Sequence, residues 1–95
     1  MNKFESELRY IKAASTLKAD TFNEKIGNGI RYFRESFGLS QRQLADKAKF
    51  CRNTVIQIEL GQRERCIPLK TIYRILNALD SSLTLEAFLD ACKLP

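Results

Sequence analysis

Apolar residues recur at helical spacing along most of this chain, and short polar breaks divide them into separate stretches. Phe4, Leu8 and Ile11, with Asn2 and Glu5 as a capping pair and Glu5 four residues before Arg9, predict an amphipathic helix from residue 3 to about 17. Thr21 with Glu24 predicts a second start, for a helix that turns Phe22, Ile26, Ile30 and Phe33 inward and ends at Gly38. Ser40 with Gln43 fits a capping box and opens a third helix at Gln41, with Leu44, Ala45 and Ala48 on one face. A turn at Lys49 to Cys51 leads to a fourth helix, marked by Val55, Ile58 and Ile56 and stopped by Gly61.

The later pattern continues in the same way. Residues 62 to 67 read as a loop, and Pro68 suits the first turn of a helix whose buried stripe is Ile72, Ile75, Leu76 and Leu79. Ser81 or Ser82 is the expected start of a last helix carrying Leu85, Phe88 and Leu89, although SSLTL also fits a short strand. No internal repeat or low-complexity segment interrupts the series.

The fourth helix is unusual in what it leaves outside. Its polar face holds Arg52, Asn53, Thr54 and Gln57, and a small residue at Ala45 lets the preceding helix pack closely against it. Arginine can bond guanine O6 and N7 together, and asparagine and glutamine can do the same with adenine N6 and N7. Two short helices, a tight turn and such a face make a helix-turn-helix geometry, which points to DNA.

Residues 26 to 61, with LSQRQLA and TVIQIELG at their fixed separation, resemble the core of the phage repressor and Cro-like family of helix-turn-helix proteins, also called the XRE family. The likeness continues more loosely through PLKTIYRILNALDSSLTLEAFL, covering roughly residues 22 to 90. It implies an all-α, five-helix repressor-like domain over residues 20–95, with residues 1–19 as an additional N-terminal helical extension. It further implies that Gln41 bonds a phosphate, that Arg52, Asn53 and Gln57 read bases, and that Thr54 touches backbone or a thymine methyl. Arg34 and Glu59 match a charge pair that ties the first family helix to the end of the recognition helix, a structural role. Two positions depart from the pattern: Lys49 stands where glycine is usual, and Cys51 where Ser, Thr or Asp usually caps the recognition helix.

Composition supports this reading. The chain has 95 residues and a net charge of +5, and residues 41 to 75 hold eight basic against three acidic side chains. The positive charge thus lies on the motif and the loop after it, where a phosphate backbone would run. Arg42, Arg63 and Arg65 join Gln41 as expected phosphate contacts. No apolar run is long enough for a membrane span and the start lacks a secretory pattern, so a cytoplasmic protein is expected. Three cysteines without CxxC spacing and the absence of histidine argue against a disulfide scaffold, a metal site, a cofactor or an enzyme. Cys51 reads as a passive thiol more readily than as a redox switch, and Tyr32, Phe33, Phe37 and Tyr73 as core or interface packing.

The function expected is a sequence-specific transcriptional regulator bound to double-stranded DNA as a homodimer. The C-terminal helix, with Leu83, Leu85, Phe88 and Leu89, is the first choice of dimer surface and the N-terminal helix the second. RILNALDSSLTL also resembles HipB-like antitoxins, which implies a toxin as a further partner, held by the N-terminal helix or by Ala91 to Pro95. A protein-binding helical module that keeps the fold without the DNA function is the other alternative.

Overall fold

The computed structural model describes residues 2–94, which form six helices and no strand. They are α1 (Lys3–Thr16), α2 (Ala19–Ser36), α3 (Gln41–Ala48), α4 (Arg52–Glu59), α5 (Leu69–Leu79) and α6 (Leu85–Ala91). Phe22, Ile26 and Ile30 of α2 run through the centre, and every other helix contributes side chains to the core around them. Phe33, expected inward, is only half-buried and meets Phe88 at a ring separation of 6.2 Å.

Most helix ends follow local chemistry. Asn2 caps α1 by accepting from the Glu5 N–H at 2.8 Å. The capping box of α3 is complete: the Gln43 N–H donates to Ser40 Oγ at 3.0 Å, and the Ser40 N–H donates to Gln43 Oε1 at 2.8 Å. The chain leaves α2 through Gly38, where the Leu39 N–H turns back to the Arg34 carbonyl at 3.0 Å. Pro68 stands just before α5 as its cap residue.

Three expectations need correction. Thr21 does not cap α2, which begins two residues earlier at Ala19; Asp20 Oδ1 accepts the Thr21 N–H at 2.7 Å and places acidic charge in the first turn. Neither Ser81 nor Ser82 opens α6, and SSLTL is not a strand. Asp80 Oδ1 takes both the N–H and the hydroxyl of Ser82 at 3.0 Å, making a turn, so Thr84 becomes the first side chain able to cap, and accepts from the Ala87 N–H at 3.1 Å. Leu85, Phe88 and Leu89 are buried in the chain's own core and cannot form the first-choice dimer surface. The amphipathic α1 turns its apolar stripe to solvent: Phe4, Leu8 and Ile11 are 68%, 49% and 53% exposed, whereas Ser6, Tyr10 and Ala13 are buried.

The inner face of α1 is held by specific contacts. Tyr10 packs edge-on against Phe22 with ring centroids 5.2 Å apart, and its hydroxyl donates to the Ile67 carbonyl. Arg9 reaches Asp90 at 2.6 Å and the Leu94 carbonyl at 2.7 Å, and Tyr73 donates to Glu7 at 2.6 Å. Of the tail named above as a partner segment, Cys92 and Leu94 are buried, and Pro95 lies outside the described residues.

Candidate nucleic-acid interface

The two motif helices are fixed by close backbone approach as well as by side-chain packing. Gly27 of α2 lies against the end of α4, where an added Cβ would stand 2.5 Å from the Ile58 carbonyl oxygen and 2.6 Å from that of Glu59. Only hydrogen fits there. Leu44 and Ala45 of α3 and Val55 and Ile58 of α4 are all buried, which fixes the rotation of α4 about its axis. That rotation leaves Arg52, Asn53 and Gln57 exposed and Thr54 half-buried on the outer face.

The expected charge pair is present. Arg34 donates from Nε to Glu59 Oε2 at 2.6 Å and from Nη2 to Glu59 Oε1 at 3.0 Å, while its Nη1 holds the Leu39 carbonyl at 2.8 Å. Gln41 adds an amide hydrogen to Glu59 Oε1 at 3.2 Å. The buried carboxylate therefore accepts three bonds, and the same bond holds the Arg34 pKa above its ordinary value. A second amide hydrogen and the amide oxygen of Gln41 are left for another partner.

Both departures from the family pattern have visible consequences. Lys49 adopts the left-handed conformation, φ 64° and ψ 39°, which costs a residue with a Cβ about 1 to 2 kcal/mol. Arg74 of α5 steadies this turn: its Nη2 donates to the carbonyls of Ala48 at 2.8 Å and Lys49 at 2.9 Å, and its guanidinium lies 4.0 Å over the Phe50 ring. Its role was not visible in the sequence, where it counted only as one of the eight bases. Cys51 makes no capping bond to α4. Its sulfur lies instead 3.0 Å from the Thr54 hydroxyl, which with the nearby backbone N–H groups holds the exposed thiol below its ordinary pKa.

Two shallow clefts border α4. One is lined by Arg34, Ser40, Gln41, Arg42 and Arg52; the other includes Gln57, Arg63 and Arg65 beside Glu64, Cys66 and Pro68. The structure thus gathers Gln41, Arg42 and Arg52 on one side and Gln57, Arg63 and Arg65 on the other, with Asn53 and Thr54 on the helix between.

The loop carrying Arg63 and Arg65 is anchored by a residue that sequence reasoning missed. Asn23 of α2 is fully buried; its Nδ2 donates to the carbonyls of Arg63 at 3.3 Å and Arg65 at 2.8 Å, and its Oδ1 accepts the Ile67 N–H at 3.0 Å. Asn23 sits among Asp20, Thr21, Glu24 and Lys25, so nothing local in the sequence marked it as buried. Gly61 enters the same loop at φ 70°, where an added Cβ would stand 3.1 Å from the Glu24 backbone, so a side chain there would be both strained and tightly packed.

Residues 30–85, more than half of the chain, match the helix-turn-helix family, of XRE and Cro/CI-like type. The chain belongs to this family of DNA-binding regulators. The matched segment spans α3, the turn and α4 together with the Arg34–Glu59 pair, and leaves α1 outside. No curated protein matches the chain. Among the described residues, no helix is long and apolar enough to cross a membrane.

Proposed function

We propose that this member of the family is a sequence-specific transcriptional regulator that binds a pseudo-palindromic operator as a homodimer, with α4 in the major groove. The observation that carries the reading is the outward row of Arg52, Asn53 and Gln57 on a helix fixed by its neighbours and bordered on both sides by basic clefts. Arg52, Asn53 and Gln57 read base edges, and Thr54 lies against backbone or a thymine methyl. Gln41 and Arg42 take phosphates on one side of the groove and Arg63 and Arg65 on the other, which fixes register without reading sequence. Two copies present their recognition helices about 34 to 36 Å apart, one turn of DNA. Occupancy then controls transcription, by excluding polymerase from a promoter or by recruiting it beside one.

Fluorescence anisotropy across a series of salt concentrations tests this. The DNA preceding the chain's own gene should bind about a thousandfold more tightly than a scrambled duplex, with a steep salt slope. Equal and weak binding to both would overturn the operator reading.

A further inference from the structure

The outward face of α1 has the pattern of a helix-pairing seam. Phe4, Leu8 and Ile11 follow one another at intervals of four and three residues, and all three stand in solvent while the opposite face of the helix is buried. Glu5 and Lys12, both exposed, each directly follow a seam residue and so share one edge of the stripe. We propose that α1 pairs with α1 of a second copy of this chain, antiparallel, about a two-fold axis close to Leu8.

The charges select both the partner and the direction. With Leu8 on the axis, Phe4 of one copy approaches Ile11 of the other, and Glu5 of each copy faces Lys12 of its mate, so the two-fold makes the favourable pair twice. A parallel pairing would instead set Glu7 against Lys12, but Glu7 is half-buried and accepts the Tyr73 hydroxyl of α5 at 2.6 Å, whereas Glu5 is exposed and takes its side-chain bond from Asn2 of its own helix end at 3.2 Å. At the C-terminal helix Leu85, Phe88 and Leu89 are buried in the chain's own core and Leu83 is half-buried, so its apolar side chains are less available than those of α1. The seam is short: three side chains and their flanks cover less than the roughly 800 Å² per partner of a stable interface. The free protein is therefore a weak, reversible dimer that DNA completes.

This deepens the operator reading, on which the need for a second copy rests, and it links the two activities. The inner face of α1 holds the loop of Arg63 and Arg65, through Tyr10 to the Ile67 carbonyl and Cys66 to the Ala14 carbonyl at 3.6 Å. Pairing the two α1 helices therefore also sets the two phosphate-facing loops relative to each other.

Sedimentation equilibrium of the full chain without DNA tests the pairing, with circular dichroism melting to confirm the fold of each variant. Wild type should sediment as a concentration-dependent monomer–dimer mixture, and Leu8→Asp, at an exposed position, as a monomer with an unchanged melt. Glu5→Lys and Lys12→Glu should each weaken the dimer severalfold, and the double swap should restore it. A wild type that stays monomeric up to submillimolar concentration overturns the proposal, as does a Leu8→Asp protein that dimerises normally or a double swap no better than the singles. Failure here is separable from failure of the operator reading, because Leu8→Asp keeps the whole of α4 and should bind a half-site duplex with wild-type affinity.

Discussion

Replacing Lys49 by glycine should stabilise the protein. Lys49 holds a left-handed conformation at the helix-turn-helix corner, where the Phe50 N–H closes onto the Ala45 carbonyl at 2.9 Å. An L-residue pays about 1 to 2 kcal/mol for this conformation. Glycine removes that cost but brings extra freedom to the unfolded chain, about 0.4 to 1 kcal/mol. The difference is a gain of about 1 kcal/mol, since the Lys49 side chain is exposed and Arg74 bonds the backbone carbonyl rather than the side chain. For a domain of this size the melting temperature should rise by about 4 to 8 °C. Urea unfolding should show a higher midpoint with unchanged slope, because the same surface is exposed in both proteins. A lower or unchanged midpoint would mean that the corner has no strain to release.

Asn23→Ala should leave the carbonyls of Arg63 and Arg65 and the Ile67 N–H without their partner, costing about 3 kcal/mol of stability in urea unfolding; the protein that remains folded should bind DNA with a shallower salt slope. Cys51 should alkylate well before Cys92, because the Thr54 hydroxyl and backbone N–H groups lower the first thiol while burial pushes the second up to about 12. Thr54→Val should move the pH midpoint of the Cys51 reaction upward, read by mass spectrometry of the labelled peptides. From neutral pH, stability should begin to fall above about pH 9, where the unfolded chain loses the Cys92 proton that burial retains in the folded one, and should fall further above about pH 10. Burial raises the Tyr10 hydroxyl, and burial with the bond to Glu7 pushes Tyr73 up to about 12, so above pH 10 the unfolded chain loses its tyrosine protons before the folded one does. Melting temperatures across that range check the sign.

How legible each element was depended on the range of the interactions that define it. The Ser40–Gln43 box, the corner at Lys49 and the stop at Gly61 are set by residues within a few positions of one another, and the family pattern added the Arg34–Glu59 pair. The same locality explains the misreadings. Thr21 and Ser82 are acceptable caps in isolation, but Asp20 and Asp80 beside them take the relevant hydrogen bonds. Periodicity identified α1 as amphipathic yet could not say which face meets the body: Tyr10 and Ala13 fit against Phe22 and the loop before α5, and the larger stripe of Phe4, Leu8 and Ile11 is left outside. Asn23 and Arg74 were invisible as positioning residues because their partners lie more than twenty residues away in sequence, in a loop and a turn with no motif of their own. At the interface itself the outward placement of Arg52, Asn53 and Gln57 was readable, since it is the complement of the buried Val55 and Ile58.

Whether α4 reads DNA sequence is decided by selection from a randomised duplex pool, comparing wild type with Arg52→Ala and Gln57→Ala. Wild type should enrich a site with two related halves about one helical turn apart. Each variant should lose roughly 1 to 3 kcal/mol on that site and relax preference at one base position per half, leaving the others intact. No enriched site for wild type, or the same site with the same discrimination in both variants, would contradict sequence reading by α4.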